Sequence, residues 1–226
     1  MKKTILITGG TGGLGQAVVK KMLDSGYKVV LATEPNAQTV SHENLEIFEV
    51  DVTNEEKCQS FVKTISAKYK HIDVALLLVG GFMMGNISQA DEQALDRMLT
   101  LNFKTAYLVA RPVFEQMESQ SEGGKIIFIG ARPALQAETG KEMLAYSLSK
   151  SLIFSLSEML NAAGKDKNVQ STVIVPSTID TPANRQAMPD ADPASWVSPE
   201  DLANLMNFVI SDTILRESIL KAYKNT

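Results

Sequence analysis

The sequence of 226 residues is poor in cysteine, and Cys58 is its only one. A single cysteine excludes an intramolecular disulfide, which favours a reducing compartment. Apolar runs are short, and none approaches the ~20 residues that a transmembrane helix requires. The apolar run that follows the first three residues is also too short for a signal peptide. We therefore expect a cytoplasmic protein without a membrane partner.

Basic residues are also fewer than acidic ones: the chain has 22 Lys and Arg and 26 Asp and Glu, which gives a net charge of −4. They are scattered along the chain, whereas proteins that bind nucleic acid usually carry a clustered basic surface. We therefore expect no nucleic-acid partner. The length and the 44% content of hydrophobic residues suit one α/β domain with a continuous core.

Glycines cluster in residues 8–15, which read Thr-Gly-Gly-Thr-Gly-Gly-Leu-Gly. An apolar run at residues 4–7 precedes this stretch, and a helical pattern follows it from Ala17. Glycine lets a backbone approach a ligand closely, and the N–H groups that begin the next helix attract an anion. The usual anion is a dinucleotide pyrophosphate. A glycine-rich surface loop is the alternative, which the flanking strand and helix disfavour.

Other apolar, β-branched runs predict further strands of a parallel sheet. These runs are residues 28–33, 45–50, 72–79, 125–130, 169–176 and 218–223, and helical patterns cover 54–69, 92–117, 142–163 and a segment beginning at Ser198-Pro199. The alternation predicts a single-domain Rossmann-type α/β fold over residues 1–226, a doubly wound parallel sheet of about seven strands flanked by helices. Proline-rich residues 177–198 predict a shaped substrate loop over the site.

Glu34 follows the second predicted strand, where a nucleotide-binding sheet meets the adenosine ribose. A carboxylate there accepts hydrogen bonds from ribose hydroxyls and repels a 2′-phosphate, and no arginine lies nearby to offset that repulsion. The sequence therefore favours NADH over NADPH. The alternative is that Glu34 is a solvated turn residue.

Tyr146 and Lys150 are four residues apart in a helical pattern, so they share one helix face. When a hydride moves to an electrophilic centre, a nearby acid must neutralise the negative charge that develops. The ordinary tyrosine pKa of ~10 is too high for easy proton exchange near neutrality. A neighbouring Lys⁺ is expected to lower that pKa. Taken alone, such a pair is more often a surface pair.

Several motif residues follow one another in a fixed order along the chain: Thr8, Gly9, Gly13, Gly15, Asp51, Asn102, Tyr146 and Lys150. With this order and spacing the chain resembles the short-chain dehydrogenase/reductase superfamily. The turn Gly80-Gly81-Phe82 and the segment at residues 179–196 further resemble quinonoid dihydropteridine reductase, whose family is dimeric, prefers NADH and regenerates tetrahydropterin.

The resemblance implies roles for individual residues. Tyr146 is the expected proton donor, Lys150 its partner, and Asn102 bends its helix and holds a water of the proton relay. The residues expected to bind the cofactor are Thr8, Gly9, Gly13, Leu14, Gly15, Glu34, Asp51, Val52, Gly80, Lys150, Pro176 and Thr181. Asp51 with Val52 would contact adenine. Asp51 also ends a predicted strand before a helix capped by Thr53 or Asn54, and the two interpretations are compatible. Phe82 with Trp196 could stack on a flat substrate ring, and no metal site is expected.

Two of the departures from the family concern the substrate and cofactor side of the site. Pro133 stands where the family has a serine that steadies the substrate oxygen, although Ser147 or Thr139 could replace that hydroxyl. Pro176-Ser177 stands where the family usually has Pro-Gly.

Three functions stay open: a reductase of pterins or other quinonoid rings, a carbonyl reductase of an acyl thioester or sugar, and a nucleotide-binding sensor without catalysis. The Tyr146/Lys150 pair counts against the sensor, and Pro133 counts against the carbonyl reductase. We also expect a dimer or tetramer, because two predicted helices carry apolar residues outside one narrow face. Those residues are Leu108, Val109, Phe114, Leu152, Phe154 and Leu156.

Overall fold

A computed structural model describes residues 2–216 and 218–224. Its centre is a seven-stranded sheet in the order β3-β2-β1-β4-β5-β6-β7, and every neighbouring pair is parallel. The strands are β1 Thr4–Thr8, β2 Lys28–Thr33, β3 Leu45–Glu49, β4 Val74–Leu77, β5 Gly124–Ile129, β6 Val169–Pro176 and β7 Ile219–Ala222. The sheet order reverses between β1 and β4, which places the ends of these two strands at the crevice where such folds bind ligands.

Helices connect the strands and cover both faces of the sheet. They are α1 Gly13–Asp24, α2 Glu55–Tyr69, α3 Glu92–Leu99, α4 Thr105–Glu118, α5 Ala137–Gly140, α6 Leu144–Gly164, α7 Pro182–Ala187 and α8 Pro199–Ser211. Shorter 3-10 turns lie at Arg132–Leu135, Lys165–Lys167 and Pro193–Ser195. Within the described part of the chain, no helix is both long enough and apolar enough to span a bilayer.

The core has two halves because side chains alternate across a strand. On one face, Leu6 packs in a cluster with residues of α2, α4 and α6. On the other, Ile5 and Ile7 pack with residues of α1 and α8. The sheet is therefore buried on both sides, and the predicted doubly wound Rossmann-type fold is confirmed.

The helical region at residues 92–117 consists of two helices, as the two patterns at residues 92–101 and 102–117 predict. A π-helical turn, Thr100–Lys104, separates α3 from α4, and Asn102 lies inside it. A π turn widens the helix by one residue and is frequent at functional sites. Here it directs the buried Asn102 side chain at the loop that follows β4, where its Oδ1 accepts a hydrogen bond from Gly81 N at 2.9 Å.

The connection from β2 to β3 contains no helix over residues 34–44, in contrast to the crossovers that hold α1, α2 and α6. Thr33 is the last buried residue of β2, and Glu34 is exposed immediately after it. An acidic side chain is therefore presented to solvent at the carboxyl end of the strand beside β1.

Three of the apolar residues expected to need a second subunit are buried in the chain itself. Leu108, Val109 and Phe154 belong to the core cluster beneath α4 and α6. The prediction that these three residues need a second subunit to be buried was therefore wrong. The reason is that these helices bury a wider face against the sheet than a single stripe. Leu152, by contrast, is exposed.

Candidate active site

The glycine-rich turn closes tightly on itself and on β4. Gly9 has φ +71°, and a Cβ on it would lie 2.7 Å from Val79 N. A Cβ on Gly15 would lie 2.1 Å from Gly9 O. Larger residues would force these backbone segments apart, since real Cβ atoms do not approach so closely. The turn thus needs glycine for geometry that a backbone-lined phosphate site also requires.

The N-terminus of α1 differs from those of α2, α3 and α8. Asn54, Asp91 and Ser198 cap α2, α3 and α8 with side-chain oxygens. In α1 the cap position is Gly12, with no side-chain cap and no acidic residue in the first turn. The first N–H groups of α1 are consequently not engaged by a cap, and together with the helix dipole they favour an anion.

Thr181 faces this turn from the segment after β6. A Cβ on Gly13 would lie 2.9 Å from Thr181 Cγ2, so the two residues approach closely. Thr181 Oγ1 accepts a hydrogen bond from Asn184 N at 3.2 Å, capping α7. This cap uses an oxygen lone pair and leaves the O–H of Thr181 able to donate. The predicted cofactor residues Gly13 and Thr181 are therefore brought together.

Asp51 lies at the carboxyl end of β3 and is exposed. Its carboxylate accepts hydrogen bonds from Thr53 Oγ1 at 2.6 Å and Thr53 N at 3.0 Å, and these bonds lower the pKa of Asp51. Asn54 Oδ1 accepts from Lys57 N and caps α2. Asn54 therefore caps the helix that follows β3, and the Asp51 carboxylate is exposed to solvent.

Lys150 is anchored at the end of β5. Its Nζ donates a hydrogen bond to Ile129 O at 2.8 Å, and the side chain is buried. Burial lowers the pKa of Lys150 to about 8, because a buried ammonium loses hydration. A Cβ on Gly80 would lie 3.2 Å from Lys150 Nζ and 2.8 Å from Asn102 Oδ1. The predicted residues Gly80, Asn102 and Lys150 therefore converge.

Tyr146 does not show the expected lowering of its pKa. Burial raises the pKa of Tyr146 to about 12. In the chain by itself the loss of hydration therefore outweighs any effect of Lys150, whose Nζ is directed to Ile129 O. Tyr146 is consequently protonated throughout the physiological range, as a proton donor must be.

Asn102 joins three elements through its side-chain amide. Its Oδ1 accepts from Gly81 N, and its Nδ2 donates to Ser149 Oγ at 3.0 Å. Ser149 Oγ in turn donates to Tyr146 O at 2.7 Å. Ser149 has no exposed surface, so these bonds do not compete with water. The network fixes the Tyr146 turn of α6 against the loop after β4.

Phe82 lies over Tyr146 at the mouth of the site. Their ring centroids are 5.0 Å apart with an interplanar angle of 76°, an edge-to-face contact. The loop is held because Gly85 N donates to Glu142 O and Leu144 N donates to Gly85 O, at 2.9 and 2.8 Å. Phe82 is 56% exposed, whereas Trp196 is only 5% exposed. Trp196 thus presents little surface for stacking in this conformation.

Pro133 lies in the 3-10 turn Arg132–Leu135 and provides no hydroxyl. Of the two proposed replacements, Ser147 is buried and its Oγ donates to Gly140 O at 3.3 Å. That bond directs the Ser147 hydroxyl at the segment before α6. Ser147 is therefore not a second donor for a substrate in this conformation.

Some residues that build the site carried no role in the sequence analysis. Ser149 was given no role there, and its position three residues after Tyr146 is the one local signal that it could reach the Tyr146 carbonyl. The contact of Lys150 with the Ile129 carbonyl could not be predicted from the sequence, because a motif does not show which distant backbone group a side chain will bond.

A family model described as short chain dehydrogenase matches residues 3–192. The chain belongs to the short-chain dehydrogenase/reductase family. It is similar to YuxG of Bacillus subtilis, an uncharacterised oxidoreductase, at 31% identity over 191 residues, which are 79% of this chain and 27% of that much longer protein. It is also similar to the dihydropteridine reductase of Dictyostelium discoideum, at 28% identity over 90% of this chain and 85% of that one.

Among solved structures, ElxO with NADP bound has a similar fold. Its TM-score to this chain is 0.88, with 20% identity over 98% of this chain and 97% of ElxO. At that identity the likeness shows the fold alone. Family membership establishes an oxidoreductase that uses NAD or NADP, and the glycine turn, the uncapped α1 and Thr181 fit such a dinucleotide.

We predict that Ser149→Ala lowers kcat by roughly 10-fold, because Tyr146 loses its tie to Asn102 and a misplaced donor costs about 1.4 kcal/mol. The matched control is Ser157→Ala, which removes an equally buried hydroxyl of α6 that bonds Ser171 Oγ at 2.8 Å. Both variants should be less stable than the wild type. Only Ser149→Ala should have a lower kcat, and its affinity for NADH should be unchanged. An equal loss of kcat in both variants would contradict a positioning role.

We predict that kcat/KM for NADH falls as pH rises above about 8. Because burial lowers the pKa of Lys150 to about 8, its ammonium is charged below that pH and neutral above it. This parameter reports groups of the free enzyme. Lys150→Arg, which stays charged, should show no such fall. A wild-type profile that is flat to pH 10, measured where the protein remains folded, would show that Lys150 keeps its proton.

Proposed function

We propose that the chain reduces a quinonoid dihydropterin or a similarly electrophilic flat ring, with Tyr146 as the proton donor. The observation that supports this most is the edge-to-face contact of the exposed Phe82 with Tyr146, together with a proline at position 133 in place of a hydroxyl. The nicotinamide cofactor supplies the hydride when bound. The similarity to a dihydropteridine reductase points the same way.

Proton transfer falls to Tyr146 and Lys150 together. Tyr146 holds its proton because burial raises its pKa to about 12. Below pH 8 Lys150 carries a positive charge on the same helix face, where it stabilises negative charge as the proton leaves. Asn102 and Ser149 keep this turn in place. This arrangement supports a general-acid role for Tyr146.

The site has few hydroxyl groups that could donate a hydrogen bond to the substrate, which favours a substrate that needs only one such donor. Pro133 has none, and the Ser147 hydroxyl is directed at Gly140 O. An unactivated ketone builds a full alkoxide charge during reduction, which a second donor would normally stabilise. A quinonoid ring spreads the charge over several atoms. One donor is then sufficient.

The segment at residues 177–198 is proposed to form the substrate loop. Asp180 and Arg185 brace it through two hydrogen bonds, from Nε at 2.6 Å and Nη2 at 2.8 Å. Asn184 Nδ2 also donates to Ile179 O at 2.8 Å. Met188, beyond α7, is exposed and could cover an apolar ligand.

The substrate proposal predicts that wild-type kcat/KM with NADH is at least ~10²-fold higher for a quinonoid dihydropterin than for an unactivated ketone. Steady-state kinetics on both substrates give this ratio. Tyr146→Phe should lower turnover on the order of 10²-fold while leaving NADH binding near normal. Comparable efficiency on ordinary ketones would favour a carbonyl reductase instead, and an unchanged kcat in Tyr146→Phe would rule out this donor.

We propose that NADH is preferred over NADPH, since the exposed Glu34 would repel a 2′-phosphate. Fluorescence titration should give a lower Kd for NADH. Glu34→Gln should improve NADPH affinity by roughly 5- to 10-fold, in line with about 1 kcal/mol for two nearby charges in water, with little change for NADH. Glu43→Gln, an exposed acid in the same crossover, is the control. Tighter wild-type binding of NADPH would contradict the preference.

We propose a homodimer or tetramer assembled through α4 and α6. Leu148, Leu152 and Met159 are exposed on α6, and Tyr107 is exposed on α4, with Met159 reaching 68%. Light scattering at micromolar concentration should give at least a dimer. Leu152→Glu should shift it towards the monomer, because a charge would be buried in the contact, whereas Val40→Glu should not. A monomeric wild type would refute the assembly.

A further inference from the structure

Ser177 has a buried hydroxyl that the fold leaves without a partner. It is 8% exposed, and among the described residues its Oγ makes no hydrogen bond. Buried polar groups in native proteins nearly always have a partner, and an unpaired one costs stability. The partner of this hydroxyl is therefore a group other than the described residues, such as a ligand or an ordered water.

The Ser177 side chain lies on the face of the sheet that α6 covers. Ser177 N donates to Ala222 O at 3.2 Å, which continues the β6–β7 ladder one residue beyond Pro176. Since strand side chains alternate, Ser177 shares a face with Val173 and Val175. Both valines belong to the core cluster that contains residues of α6.

The register of α6 on β6 shows which residues of α6 lie beside Ser177. Ser157 Oγ lies 2.8 Å from Ser171 Oγ. A Cβ on Gly130 would touch both Val173 Cγ1 and Phe154 Cζ, so Phe154 lies level with Val173. Residues later in β6 therefore lie beside residues earlier in α6. From Ser171 to Ser177 the strand rises ~20 Å, which equals ~13 helical residues. Ser177 therefore lies near the first turns of α6, which carry Tyr146 and Lys150.

Several other polar side chains of this region already have partners. Lys150 Nζ bonds Ile129 O, and Ser149 Oγ bridges Asn102 to Tyr146 O. Thr181 Oγ1 caps α7. Apart from Tyr146, whose hydroxyl is proposed to face the substrate, the Ser177 hydroxyl is the side-chain group left without a partner in this described part of the site. It lies just past the carboxyl end of β6, on the side of the sheet where the fold binds ligands.

We propose that the Ser177 hydroxyl hydrogen-bonds the carboxamide of the cofactor's nicotinamide ring. A carboxamide offers both N–H donors and a carbonyl acceptor, and a hydroxyl can serve either. The family usually has glycine here, which offers no side-chain contact, so this chain has an additional one. The inference rests on membership of the family and not on the identity of the substrate.

Ser177→Ala should have two effects of opposite sign. The free protein should become more stable, with Tm rising by about 2–4 °C, because an unpaired buried hydroxyl is removed. NADH should bind roughly 3- to 10-fold more weakly, because its carboxamide loses a hydrogen bond. Thermal unfolding of the free protein and fluorescence titration measure these effects, and neither needs a substrate.

Two controls locate the contact. ADP-ribose contains both riboses and the pyrophosphate but no nicotinamide, so its affinity, measured by calorimetry, should not change in Ser177→Ala. Ser157→Ala removes a partnered buried hydroxyl and should lower Tm without affecting NADH binding. A destabilised or unfolded Ser177→Ala protein, unchanged NADH affinity, or an equal loss for ADP-ribose would each overturn the proposal.

Discussion

The side-chain amide of Asn102 is the contact on which the arrangement of the site depends. It accepts from the backbone of Gly81 and donates to Ser149, so the loop after β4 and the first turns of α6 have a common anchor. The π turn around Asn102 makes this possible, because it directs the amide inward from a helix that otherwise packs on the sheet. A site built in this way has its donor positioned before a ligand arrives.

Burial then sets the proton chemistry of the two ionisable groups. The same exclusion of water raises the pKa of Tyr146 and lowers that of Lys150, because it penalises the charged form of each. The tyrosine is thereby held as an acid, and the lysine titrates near neutrality. In the proposed function, the lack of a hydroxyl at Pro133 leaves a developing negative charge with fewer donors, and this is the basis of the proposed substrate preference.

Much of the fold followed from local patterns in the sequence. The strand–turn–helix around Gly9 depends on neighbours in the chain, and so does the Ser198 cap of α8. Both were therefore predictable. The roles of Ser149 and Ser177 were not, because each depends on the register of α6 against distant segments. The direction of the Tyr146 pKa was missed for the same reason: burial depends on tertiary packing. Trp196 was expected at the substrate but is buried in this conformation.

The central claim is that one donor, with no second hydroxyl at position 133, selects substrates that delocalise charge. The most direct measurement is kcat/KM for the Pro133→Ser variant on an unactivated ketone and on a quinonoid dihydropterin. We expect the added hydroxyl to raise ketone reduction by roughly 10²-fold and to change pterin reduction little. The account would be contradicted if the wild type already reduced ordinary ketones efficiently and the added serine changed neither rate.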